Sequence, residues 1–74
     1  IFAGQEASMQ VYINGEERQL PENISMQSLL ETLEIGDQRF AVEVNQELIP
    51  RSVFDRHRLC AGDRVEIVQA IGGG

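Results

Sequence analysis

Met9-Gln10-Val11-Tyr12-Ile13-Asn14-Gly15-Glu16-Glu17-Arg18-Gln19-Leu20 is the stretch on which the fold turns. Its first five residues alternate apolar with more polar side chains, the period of a strand covered on one face, and Asn14-Gly15 suits the positive backbone angles of a tight type I′ turn. The sequence therefore predicts a hairpin. Met9, Val11 and Ile13 share its inner face, and Leu20 joins them from the return strand. A two-stranded hairpin is marginal by itself in water, so another element has to cover that face.

The cover follows within a few residues. Pro21-Glu22-Asn23 breaks the strand pattern, and Ser25 stands before Met26, Leu29, Leu30 and Leu33, which fall at i, i+3, i+4 and i+7 on one helical face. A helix from Met26 to Ile35 is expected, with the Ser25 hydroxyl capping its first free amides and Gly36 as its stop. The leucine stripe could dock a foreign helix, but the hairpin has nothing else to bury against, which assigns the stripe to the core. Phe40-Ala41-Val42-Glu43-Val44 then forms a strand with Phe40, Val42 and Val44 inward. Asn45-Gln46 turns the chain into a short Glu47-Leu48-Ile49 segment ended by Pro50. Arg51 to Leu59 has no clean period and reads as a connection anchored by Val53, Phe54 and Leu59. Ala61-Gly62-Asp63 turns into a last strand from Arg64 to about Ala70.

With 74 residues, the chain makes one domain of a size that buries only about 60% of its unfolded surface, too thin for a deep pocket of oriented acids and bases. A substrate or binder fits that size better than an enzyme. Twelve acidic residues against six arginines give a net charge of −6, which repels nucleic acids and anionic membranes and favours a partner with a basic face. No stretch has the length of a membrane span or the pattern of a signal peptide, and one cysteine, Cys60, forms no internal disulfide; a cytoplasmic location is expected. The chain has no lysine, which disfavours a role as a polymerising tag.

Asp55, Arg56, His57 and Arg58 form the one cluster with chemical side chains. A single histidine without a second ligand or a paired carboxylate specifies neither a metal site nor a catalytic triad, so a solvated loop is expected there. Cys60, before a turn at the core edge, is expected to be a small buried thiol. No catalytic residue and no metal ligand is assigned. Hairpin, helix and further strands could also build an RNA-binding fold, but the exposed side lacks a basic stripe and has no stacking aromatic except Tyr12.

The unusual end is the C-terminal one. Val65-Glu66-Ile67-Val68, a β-branched run, leads through Gln69, Ala70 and Ile71 into Gly72-Gly73-Gly74, so a strand hands on to residues without side chains. Such residues thread through a narrow channel where a side chain would jam. The expected organisation is a leader or remnant over residues 1–8 outside the fold, a domain over 9–71 and a reactive glycine tail over 72–74. Strand alternation places Tyr12, Val68 and Ala70 on the outer sheet face, and these, with Ile71, are the candidates for partner docking.

The order strand, strand, helix, strand, short strand, strand, glycine resembles the ubiquitin-like β-grasp fold, an α+β class with a mixed sheet of four to five strands packed on one main helix. Met9-Gln10-Val11-Tyr12-Ile13-Asn14-Gly15, Val44-Asn45-Gln46-Glu47-Leu48-Ile49-Pro50-Arg51 and Gly62-Asp63-Arg64-Val65-Glu66-Ile67-Val68 are most similar to the sulfur carriers of thiamine biosynthesis, the ThiS family, and together cover the chain from Met9 onward. The resemblance implies that Gly74 is adenylated and becomes a thiocarboxylate, with Gly72 and Gly73 needed for activation. It implies no bound cofactor; ATP is consumed by a ThiF-type adenylating partner, a donor such as a cysteine desulfurase supplies sulfur, and a ThiG-type thiazole synthase accepts it. The alternatives are the small subunit of molybdopterin synthase, which uses the same glycine chemistry, and a non-catalytic ubiquitin-like interaction module.

Overall fold

The structure is a computed structural model that describes residues 7–35 and 39–69. In chain order it contains β1 (Ser8–Ile13), β2 (Glu16–Pro21), α1 (Met26–Thr32), β3 (Phe40–Val44), β4 (Glu47–Leu48), a 3-10 turn (Arg51–Val53) and β5 (Arg64–Gln69). The strands form one five-stranded sheet in the order β2-β1-β5-β3-β4. Its centre is parallel, β1 beside β5, and its other pairings are antiparallel. This is the mixed α+β architecture that the sequence predicts.

The hairpin forms as expected. Asn14 and Gly15 take φ values of 51° and 86°, the left-handed pair of a type I′ turn, whose twist matches that of the flanking strands. A Cβ on Gly15 would meet no atom within 4 Å, so the backbone angle and not space selects glycine there. Met9, Val11, Ile13 and Leu20 enter the core with Val42, Val44 and Val65 from the other strands. Met26, Leu29 and Leu30 of α1 are buried against them, and Phe54 and Leu59 close the side that the helix leaves open. Phe40 is only half-buried, its ring 6.3 Å from that of Phe54.

Four expectations need correction. The first strand starts at Ser8, and the Ala7 carbonyl accepts from the Glu22 amide at 3.1 Å, so the expected boundary at residue 9 lies too late. A serine at an edge carries no apolar signal, but it completes the ladder opposite Pro21. Residues 1–6 lie outside the described residues, as does Gly36. The helix does not reach Ile35. It ends at Thr32, and Glu34, in the left-handed region at φ 59°, donates to Glu31 while Ile35 donates back to Leu30. Those two bonds are a Schellman cap, which satisfies the last carbonyls before the expected glycine arrives.

The irregular connection after Pro50 contains the 3-10 turn, missed because three residues carry no periodicity. It also holds the front of α1. A helix leaves its first amides without internal partners; here Met26 donates to the His57 carbonyl at 2.8 Å, Gln27 to Phe54 at 3.0 Å and Ser28 to the Ser25 hydroxyl at 3.1 Å. The Asp55–Arg58 stretch thus contributes its backbone to the fold. Cys60, expected to be buried, is exposed. Leu59 takes the inward place and leaves the next side chain outward, while the Cys60 amide is held by Asp63 Oδ2 at 2.8 Å.

Candidate functional site

β5 is the element that leads to the glycines, and the sequence around it explains how firmly it is held. Arg64 and Val65 pair with Tyr12 and Ile13 on one side, while the whole of β5 except Arg64 pairs with β3 on the other, from Val44↔Val65 to Phe40↔Gln69. Where β1 turns away, side chains continue the work of backbone. The Asn14 Oδ1 accepts from the Ile67 amide at 2.9 Å, and the Asn45 Oδ1 accepts from the Arg64 amide at 3.0 Å. Asn45 also donates to Asp63 Oδ1 at 3.0 Å, which ties the β3–β4 turn to the entry of β5. Both turn asparagines, chosen for positive φ, therefore also clamp the last strand.

Alternation along β5 sorts its side chains. Val65 is buried and Ile67 half-buried beneath the helix, whereas Arg64, Glu66 and Val68 are exposed on the opposite face. The outer face brings the expected Tyr12 and Val68 into one sheet surface, but not into contact through the register: Tyr12 pairs with Arg64, and Val68 lies opposite Ala41. The Arg64 guanidinium stacks 4.7 Å from the centre of the Tyr12 ring, and Gln10 Nε2 donates to the Tyr12 hydroxyl at 3.2 Å. Val68 is 59% exposed and Leu48 64%, the two large apolar side chains most open to solvent among the described residues. Leu48 belongs to the same face, because it pairs with Glu43, which in turn faces Glu66. Sequence reading missed Leu48; β4 is only two residues long, too short to show an alternation.

Ala70, Ile71, Gly72, Gly73 and Gly74, the remaining site candidates, lie outside the described residues. Among the described residues no group of three or more His, Cys, Asp or Glu could hold a metal ion, and no helix is long and apolar enough to cross a membrane. The groove of about 650 Å³ between α1 and β3 is walled by Leu30, Ile35, Phe40 and Phe54, with Arg51 packed 4.5 Å above the Phe40 ring. It brings together no nucleophile and base. The described surface exposes Leu48 and Val68 on the outer face of the sheet.

The likenesses to known proteins agree with that description. The model of the ThiS family matches residues 10–74. A thiazole synthase of Paramagnetospirillum magneticum is 39% identical over 89% of the chain, which spans only 20% of the length of that relative. The sulfur carrier protein ThiS of Escherichia coli is 30% identical over 89% of the chain and all of its own length. The crystal structure of the thiamine biosynthesis protein ThiS from Geobacter metallireducens superposes with a TM-score of 0.78 at 30% identity, over 89% of this chain and 100% of that one. With the five-stranded mixed sheet, the single helix and a family match that runs through to the last glycine, the chain belongs to the ThiS family of thiamine-biosynthesis sulfur carriers.

Proposed function

We propose that the protein carries sulfur on the terminal carboxylate of Gly74 and is itself a substrate and not an enzyme. The observation that supports this most is the extent of the family match, residues 10–74, on a domain whose last strand is held from both sides. A free carboxylate resists nucleophiles because its charge and resonance oppose attack. An activating partner of the ThiF type joins it to AMP, releasing pyrophosphate from ATP. The persulfide of a donor such as a cysteine desulfurase then displaces the AMP to form an acyl disulfide. A thiol reduces that disulfide, leaving the sulfur on the glycine carbonyl and the donor's sulfur in the thiol's own disulfide. The product, a thiocarboxylate, is an anionic nucleophile that remains tethered to its carrier. Gly72 and Gly73 let the end pass into an active site; from Ala70 to Gly74 an extended chain spans at most about 17 Å.

The acceptor in this reading is a thiazole synthase of the ThiG type. Support comes from the Paramagnetospirillum relative, in which a ThiS-like segment makes up one fifth of a thiazole synthase chain. Covalent linkage gives two modules a high mutual concentration, which is useful when one acts on the other. The folded domain meets its partners with the outer face, where Val68 and Leu48 are exposed and which Tyr12 shares. The partners present a basic and apolar surface, in keeping with the net charge of −6; nucleic acid and membranes are not partners, and the site of action is the cytoplasm.

Intact mass after incubation with ATP, activating enzyme and a sulfur source tests the proposal. The expected result is exchange of one oxygen for one sulfur, located on Gly74 by fragmentation. An unchanged mass under conditions that convert Escherichia coli ThiS would reject the carrier function.

A further inference from the structure

We infer that the groove between α1 and β3 seats the sulfur donor, a protein that presents an apolar side chain and basic residues beside its persulfide. The assignment rests on the carrier function proposed above. The groove, about 650 Å³, has the size of sites that take a small ligand or a few side chains. Leu30 and Phe54 are its buried walls, Ile35 and Phe40 its half-buried ones. Gln27, Leu30, Glu31 and Glu34 recur at i, i+3, i+4 and i+7, one stripe that runs along α1 into its cap. That spacing sets two carboxylates along one rim. Glu31 accepts from Gln27 Nε2 at 3.3 Å, and neither Glu31 nor Glu34 has a cation partner among the described residues.

Charge and backbone decide the occupant. A second copy would bring the same acidic rim and the same net charge of −6 against this face, and like charges oppose that contact. An added strand finds no purchase, since the Phe40 and Val42 carbonyls on the edge of β3 away from β5 already accept from Arg51 at 3.4 Å and Ile49 at 2.9 Å. The groove therefore reads side chains. An apolar anchor fits between Leu30 and Phe40, and lysine or arginine beside it meets Glu31 and Glu34. A persulfide donor has this character, because reactive sulfur that stays ionised sits in partly exposed, electropositive surroundings.

The place of the groove in the fold suits the order of events. Phe40 has inward parity and Ala41, opposite Val68, has outward parity, so the groove and the Val68 face lie on opposite sides of the sheet. An acyl-adenylate hydrolyses in water, and the donor has to reach Gly74 while the activating enzyme on the outer face still encloses it. The helix side is then the open one. Phe40 pairs with Gln69, and the five residues beyond Gln69 span at most about 17 Å when extended, which brings the Gly74 carbonyl within reach of a donor in the groove. The terminal persulfide sulfur attacks that carbonyl and AMP leaves with the bonding pair. An acyl disulfide joins carrier to donor until a thiol supplies the two electrons that cleave it.

Two sulfur sources separate the groove from the chemistry. Each carrier is incubated with activating enzyme, ATP and either sodium sulfide, which converts the adenylate directly, or a cysteine desulfurase charged with cysteine in the absence of reductant; intact mass is followed. Glu31→Lys combined with Glu34→Lys, both exposed positions, should slow the carrier–donor adduct by about tenfold and leave conversion by sulfide as in the wild type. The same change of charge at Glu16 and Glu22, at the two ends of β2, should slow neither reaction. Phe40→Ser, which removes an apolar wall, should act like the groove pair, with its conversion by sulfide showing that it is folded. Equal adduct formation by the groove pair and the wild type, equal slowing by the β2 pair, or no adduct from a wild type that sulfide converts, would overturn the donor seat. A wild type that sulfide leaves unconverted rejects the carrier function instead.

Discussion

The two halves of β5 are held differently. Val65, 1% exposed, lies between β1 and β3, whereas Val68, 59% exposed, stands opposite Ala41 of β3 beyond the end of the β1 pairing. Both are valines in one strand, three residues apart. What separates them is parity and the length of the neighbouring strand. The first half is bonded on both sides and belongs to the core; the second runs past the end of the β1 pairing and leaves Val68 open to solvent. A strand that continues beyond its parallel neighbour is thus held tightly at one end and exposed at the other.

The sharpest way to separate the halves is to shorten what the second one delivers. Deleting Gly74 moves the carboxylate back by about 3.5 Å and should abolish sulfur acceptance in the intact-mass assay, with no change in thermal stability. Full modification of the shortened protein would break the comparison. Val65→Ala should do the reverse. Removing two buried methyl groups and leaving a cavity costs about 2–3 kcal/mol, seen as a lower midpoint in urea, while each folded molecule still accepts sulfur.

Smaller effects are expected where the halves join. Asn14→Ala removes both a residue suited to φ 51° and the acceptor for the Ile67 amide, and should cost about 1–2 kcal/mol. Hydrogen exchange should quicken at Ile67 more than at Val65; equal protection at both would mean that the asparagine clamp does not hold the strand. Val68→Asp, at the exposed end, should leave the urea midpoint unchanged and weaken binding to the activating enzyme by about tenfold, which corresponds to ~1.4 kcal/mol. Unchanged affinity would remove Val68 from the docking face.

Reading the sequence located the hairpin, the helix start, the strand cores and the glycine end because each rests on a local rule. Asn14-Gly15 meets the turn geometry, Ser25 meets the free amides of α1, and alternation meets a sheet with one covered face. The helix stop was not legible. Glu34 takes a conformation that glycine at position 36 promised, since the Leu30 and Glu31 carbonyls find partners two residues earlier. Cys60 was misplaced for a related reason: a small apolar side chain next to Leu59 has no periodic neighbour to show which of the two turns inward.

By itself, the sequence determined which segments extend, which one coils, which faces are apolar and that a side-chain-free end follows the last strand, because backbone sterics and side-chain period act over a few residues. Tertiary structure decided the rest. Only the sheet order β2-β1-β5-β3-β4 places the last strand in the middle, sets Val68 and Leu48 on one face and leaves a hollow beside the hairpin turn. Those relations join residues distant in the chain, and they depend on strand order and register, which pairwise packing of all the elements fixes at once.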